Sequence, residues 1–145
     1  MTNRSGPKGA EAEREVQNML REKLKLPKVR RALGAGRKDD VGDIDGVPNT
    51  CIQVAWWTNS MAALKEKIPA VERQRLNRRV RLAAVFIKRN RFRDGDPWFV
   101  AMSVDQWVKM WGYAQKGIAL ELRERAAKIE PNDSRPAHSR TRKST

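Results

Sequence analysis

Apolar residues first recur at helical spacing from Ala10: Ala12, Val16, Met19, Leu20 and Leu24 make one stripe, and Pro27 lies beyond its end. The pattern predicts an amphipathic helix over 10–24. Glu13 falls beside the stripe, where the bland account is a first-turn acid favoured by the helix dipole. A strand is predicted over Lys28–Leu33. The loop Gly34-Ala35-Gly36-Arg37-Lys38-Asp39-Asp40 follows, basic and glycine-rich but matching no phosphate-loop or dinucleotide fingerprint. Two short strands come next, Gly42-Asp43-Ile44-Asp45-Gly46 and Cys51-Ile52-Gln53-Val54-Ala55-Trp56-Trp57, bounded by Gly, Pro and Asn. Alternation on the second puts Cys51, Gln53, Ala55 and Trp57 on one face and Ile52, Val54 and Trp56 on the other.

Farther along, Asn59 and Ser60 are caps for a short helix through Lys67, and Pro69 suits the first turn of another through Arg79. Val71 and Leu76 are expected inward on that second helix, with Arg73, Arg75, Arg78 and Arg79 outward. Arg81–Lys88 is a nearly continuous apolar run, the signature of a buried strand. Asp94-Gly95-Asp96 turns into a partner strand, Trp98–Met102. Ser103-Val104-Asp105-Gln106 reads as a capping box, opening a helix with Trp107, Val108 and Trp111 on its core face. Gly112 and Gly117 separate it from a last amphipathic helix, Ile118–Ile129, which would pack on the domain or on a second copy of the chain. The order of elements predicts an α/β fold, a central mixed five-stranded sheet flanked by helices. Residues 1–8 and 131–145 are expected to be disordered and basic, leaving 9–130 as one domain with a C-terminal helical extension.

Charge changes the picture most. The 145 residues hold 31 Lys and Arg against 17 Asp and Glu, a net charge of +14. Such an excess points to a polyanionic partner, nucleic acid first. There is one cysteine, Cys51, and one histidine, His138, in the C-terminal tail. These counts exclude an intramolecular disulfide, a Cys/His zinc cluster and a histidine-assisted nucleophile on the folded part. A reducing cytoplasm fits, and no apolar run reaches membrane-spanning length. Any catalysis falls to carboxylates, lysines and a hard cation such as Mg²⁺.

The segment Lys8-Gly9-Ala10-Glu11-Ala12-Glu13-Arg14-Glu15-Val16 resembles the KGxxAERE opening of the archaeal Holliday-junction resolvases. Gly42-Asp43-Ile44 is similar to their motif aspartate, and Cys51-Ile52-Gln53-Val54-Ala55 to their C/V-I-E-V-K strand. The likeness spans residues 8–105. It implies a restriction-endonuclease-like member of the PD-(D/E)xK superfamily, a phage-encoded one among the options, acting in the cytoplasm on branched or four-way junction DNA. It also implies a homodimer and a Mg²⁺ cofactor, with Mn²⁺ as a substitute. By the same likeness Glu13, Asp43 and Gln53 match metal ligands. Ala55 stands where the family has its catalytic lysine, and Arg14 matches a basic motif residue. Gln53 replaces the family's acid, so both strand positions depart from the pattern; Asp40 or Asp45 could restore charge. Either the lysine has migrated, with Lys38 a candidate, or Ala55 leaves this sequence inactive, by nature or through an engineered Lys→Ala. Arg30, Arg31, Arg37, Lys38, Arg75 and Arg78 are the remaining expected DNA contacts. The alternative is a non-catalytic protein of the same fold that binds branched DNA. An RNA-binding protein ranks third, because it leaves the Glu13, Asp43 and Gln53 pattern without purpose.

Overall fold

The computed structural model describes residues 6–32, 41–90 and 95–129. Its elements run α1 (Pro7–Leu24), β1 (Arg30–Arg31), β2 (Ile44–Asp45), β3 (Thr50–Ala55), α2 (Ser60–Arg78), β4 (Leu82–Lys88), β5 (Trp98–Ala101) and α3 (Val104–Ile129). The strands form one five-stranded sheet in the order β1-β2-β3-β4-β5. β3 and β4 are parallel, with Gln53 opposite Val85, and every other neighbouring pair is antiparallel. α2 is the crossover that a parallel pair requires. The fold is thus α/β with a mixed sheet, as the order of elements predicts. The chain divides into two units, Met1–Met110 with the sheet, α1, α2 and the start of α3, and Trp111–Thr145 with the remainder of α3. Among the described residues no helix is long and apolar enough to cross a membrane.

The predicted alternation on β3 sorts the core into two layers. Ile52 and Val54 pack with Ala12, Val16 and Leu20 of α1 and with Val29 and Ile44. Cys51 and Ala55 pack with Ala63 and Val71 of α2 and with Ala83, Val85 and Ile87 of β4. β3 is therefore covered on both faces, which is why its sequence is so apolar and why Gln53 within it needs an explanation. α1 begins at Pro7, three residues before the expected start, because proline suits a first turn whose N–H would be unbonded anyway. At the far end of the sheet Lys88 ties α1 down. Its Nζ lies 2.6 Å from Glu15 Oε1 and 3.9 Å from the centroid of Trp56.

α2 corrects the sequence in two places. It is one helix, Ser60–Arg78, with Pro69 inside it, where a break before Pro69 was expected. An interior proline costs about 3 kcal/mol or more. Ala63, Val71 and Gln74, buried on either side of it, hold both halves to the sheet. Leu76, expected inward, is exposed, while Arg75 and Arg78, expected outward, are largely covered and ion-paired. The helix ends on Arg79 in the left-handed region, whose N–H donates to the carbonyls of Arg75 and Leu76.

α3 corrects it again. The helix runs unbroken through Gly112 and Gly117, each of which costs about 1 kcal/mol, a toll rather than a stop. Trp107, Val108 and Trp111 are exposed at 56%, 53% and 55%, and the inward residue of the first turns is Gln106. Half of the capping box forms, with the Gln106 N–H donating to Ser103 Oγ at 3.2 Å. The Gln106 side chain does not close the box. Its Oε1 accepts the Ala83 N–H of β4 at 3.0 Å, and its Nε2 donates to Glu72 Oε2 at 3.3 Å. Gln106 takes the inward position by bonding both the β4 amide and Glu72, and Trp107 and Val108 beside it are left exposed. In the second unit Ile118, Leu120, Leu122 and Ile129 are exposed, and Arg125 pairs with Glu121.

Gln106→Leu keeps the volume and orphans the Ala83 N–H, so a loss of about 1–3 kcal/mol in urea denaturation is expected. Glu72 supplies a pH dependence. Burial alone would push its carboxyl up, but hydrogen bonds from Arg75, Ser103 and Gln106 and the Arg75 charge together hold it below 4.5. A depressed folded-state value means stability that is complete above 4.5 and is lost as pH falls through the folded value. Denaturation midpoints followed from neutral pH downward should show this acid loss, and Glu72→Gln should remove Glu72's share of it.

Candidate functional site

The site is built on the turn between β1 and β3. Gly42 and Gly46 both have positive φ, +91° and +90°. A Cβ on Gly42 would lie 2.8 Å from the Ile52 carbonyl oxygen, and one on Gly46 would lie 2.6 Å from that of Lys28. Only glycine allows β2 to lie this close to both neighbours. The two glycines bracket Asp43, Ile44 and Asp45 and leave them no freedom of placement. Asp43 N–H donates to the Ile52 carbonyl, Asp43 O accepts from Ala32 N–H, and both bonds are 2.8 Å. Its carboxylate Oδ2 accepts the Val54 N–H at 2.8 Å. That carboxylate is therefore fixed on β3 between Gln53 and Ala55. Ile44 and Ile52 are register partners, so Asp43 and Gln53 flank the same pair.

Gln53 is 3% exposed and Ala55 2%. The Gln53 amide is satisfied from α2: Lys67 Nζ donates to its Oε1 at 2.9 Å. The sequence reading passed over Lys67, because a lysine in an amphipathic helix looks like a solvated one. The usable signal was its spacing of four residues from Ala63 and Val71, both buried against the sheet. Gln74 lies seven residues beyond Lys67 on the same side of α2 and is 3% exposed. Its Oε1 has no hydrogen-bond partner.

Glu13 is brought elsewhere. It is 8% exposed on the α1 face of the sheet, and its Oε2 meets Arg31 Nη2 at 2.7 Å and Nε at 2.8 Å. Arg31 N–H also donates to Gln17 Oε1, so these contacts hang the edge strand β1 from α1. Glu13 thus lies with Ile52 and Val54, whereas Gln53 faces α2. Gln53, Ala55 and Lys67 lie on the α2 side of β3, Glu13 binds Arg31 on the α1 side, and the Asp43 carboxylate is held at the Val54 N–H. Arg78 is a clamp: it meets Asp45 Oδ1 at 2.6 Å and donates to the carbonyls of Ile44 and Val41 at 3.1 and 3.3 Å. Arg75 is held by Glu72 and by the Val80 carbonyl. These two guanidiniums organise the fold, which corrects the expectation that they project outward from α2. Arg14 and Arg30 are exposed. Arg37, Lys38 and Asp40 lie outside the described residues.

Arg21, Lys28, Arg30 and Arg78 line a pocket of about 720 Å³ with Asp45 and Gly46, a concave basic surface at the β1 edge. No family model, curated protein or solved structure matches the chain.

The fit to a Mg²⁺ ion rests on donor chemistry. No group of three or more His, Cys, Asp or Glu able to hold a metal occurs among the described residues. Mg²⁺ does not require one, since it keeps several waters and often takes one or two protein carboxylates plus substrate phosphate. The Asp43 carboxylate, held at the Val54 N–H, and the Gln53 amide oxygen, which accepts from Lys67, are both hard donors. The donors fit Mg²⁺ in kind, with Asp43 as the charged member.

If the basic pocket carries nucleic acid, Lys28→Glu and Arg30→Glu should each weaken DNA binding regardless of sequence. Each should also lower the slope of log K against log salt by about 1 or more, read from anisotropy titrations.

Proposed function

We propose that this chain is a Mg²⁺-dependent, structure-selective DNA endonuclease that hydrolyses phosphodiesters in four-way junctions or other branched DNA. The observation that carries the reading is that adjacent residues of β3 hold an acid and a cation: the Val54 N–H binds the Asp43 carboxylate, and the Gln53 amide oxygen binds the Lys67 ammonium of α2. An acid, an amide oxygen and a cation held by adjacent residues of one strand, in a chain of net charge +14, suit a phosphodiester better than a neutral metabolite. The resemblance of the Lys8–Val16 and Gly42–Ala55 segments to junction resolvases supports the same reading.

Hydrolysis forms a bond from a water oxygen to phosphorus and breaks one phosphorus–oxygen bond to a sugar; the proton released by water ends on the departing oxygen. Mg²⁺, when bound, supplies Lewis-acid stabilisation and a more acidic water. Asp43 and Gln53 would hold it. The Val54 N–H fixes the Asp43 carboxylate in one orientation, so that no reorganisation is needed when a phosphate arrives. Lys28 and Arg30 draw the polyanion to the β1 edge. A homodimer in the cytoplasm would present two such sites to the two strands of a junction.

Ala55 and the neutral Gln53 favour a second reading, a non-catalytic protein of the same fold that binds branched DNA. A synthetic four-way junction separates the two. The endonuclease nicks it in Mg²⁺ or Mn²⁺ and not in EDTA. Asp43→Asn, which keeps an acceptor for the Val54 N–H, should bind the junction and cut at least about a hundredfold more slowly. Salt-sensitive binding without cleavage of junction, flap or duplex under either metal sinks the endonuclease and leaves the binding protein.

A further inference from the structure

We infer that Lys67 of α2 is the catalytic cation of this site, its ammonium meeting the phosphate under attack in the role left empty on β3 by Ala55. The inference rests on the endonuclease reading. Its first support is position: Lys67 Nζ donates to Gln53 Oε1 at 2.9 Å, which puts a positive charge on the side chain of the residue before Val54, whose N–H holds the Asp43 carboxylate.

The second support is charge. Arg31, Arg75, Arg78 and Lys88 are each paired with a carboxylate, which cancels them. Lys67 meets a neutral amide, so its charge stays available to an incoming anion. A glutamate at position 53 would have locked it in an ion pair. The neutral residue at 53 and the ammonium from α2 therefore belong together.

The third support is space. Ala55 is 2% exposed and packs with Ala63 and Val71 of α2 and with Ala83 of β4. A lysine side chain at 55 would be enclosed by these apolar neighbours, and an uncompensated ammonium among them would be strongly destabilising. One turn along the same helix face from Ala63, Lys67 reaches the strand from above. Negative charge grows on the phosphate oxygens as water attacks, so a fixed ammonium stabilises the transition state more than the bound ground state.

A purely structural lysine that only satisfies the buried Gln53 amide is the competing account, and the hydrogen bond can be kept while the charge is removed. Single-turnover cleavage of a four-way junction in Mg²⁺, junction affinity in EDTA and thermal midpoints are measured for the full chain and for Lys67→Gln, Lys67→Met and Lys67→Arg. Lys67→Gln is expected to lose on the order of a hundredfold or more in rate, with junction affinity and thermal midpoint near those of the parent. Lys67→Arg should retain more of the rate than Lys67→Gln. If Lys67→Gln fails to fold, Lys67→Met is held to the same rate criterion. A parent chain and a folded uncharged variant that cut equally well overturn the role of Lys67 and leave the endonuclease standing. A parent chain that cuts no DNA overturns both.

Discussion

A buried amide in the middle of a strand closed on both faces is the constraint that shapes this molecule. Gln53 sits on β3 with α1 over one side and α2 over the other. An unbonded polar group there costs on the order of 1–3 kcal/mol. A donor must therefore reach it, and Lys67 does. That hydrogen bond acts together with the packing of Ala63 and Val71 against Ala55 and with the Arg78–Asp45 ion pair at the far end of the helix to hold α2 in one register on the sheet.

The same logic of satisfying buried polar groups recurs around the sheet. Gln106 caps an amide of β4, Glu13 and Gln17 hold the edge strand β1, and Asp43 accepts an amide of β3. Gln106, Gln17 and Asp43 each accept a backbone N–H that sheet pairing leaves unbonded, and Glu13 adds an ion pair to the Arg31 side chain. Gln53 differs from the rest because its partner is a cation that meets no carboxylate. A site for an anion arises where this scaffolding leaves such a charge against the strand.

Much of the fold was legible in the chain. The alternation along Cys51–Trp57, the apolar run of Arg81–Lys88 and the turn before Trp98 specify strands, because period-two burial and a break in it are local properties. The glycines around Asp43 were legible as a turn, though their closeness to Ile52 and Lys28 was not. Pro69 misled because a local penalty was overridden by burial on both sides of it. Trp107 and Trp111 misled because an amphipathic helix tells which residues share a face, not which face the sheet will take. Gln106 took it by bonding to β4, a partner remote in sequence.

By itself, the sequence determined the order and kind of the elements, the charge, the chemistry excluded by single cysteine and histidine residues, and the Asp43–Gln53 strand as the candidate site. The tertiary structure alone decided which charges are spent and which remain. Arg75 and Arg78 look in sequence like Lys67, basic residues on one helix, yet the first two meet carboxylates and Lys67 meets an amide. That difference comes from partners brought together by folding, and no local pattern along the chain encodes it.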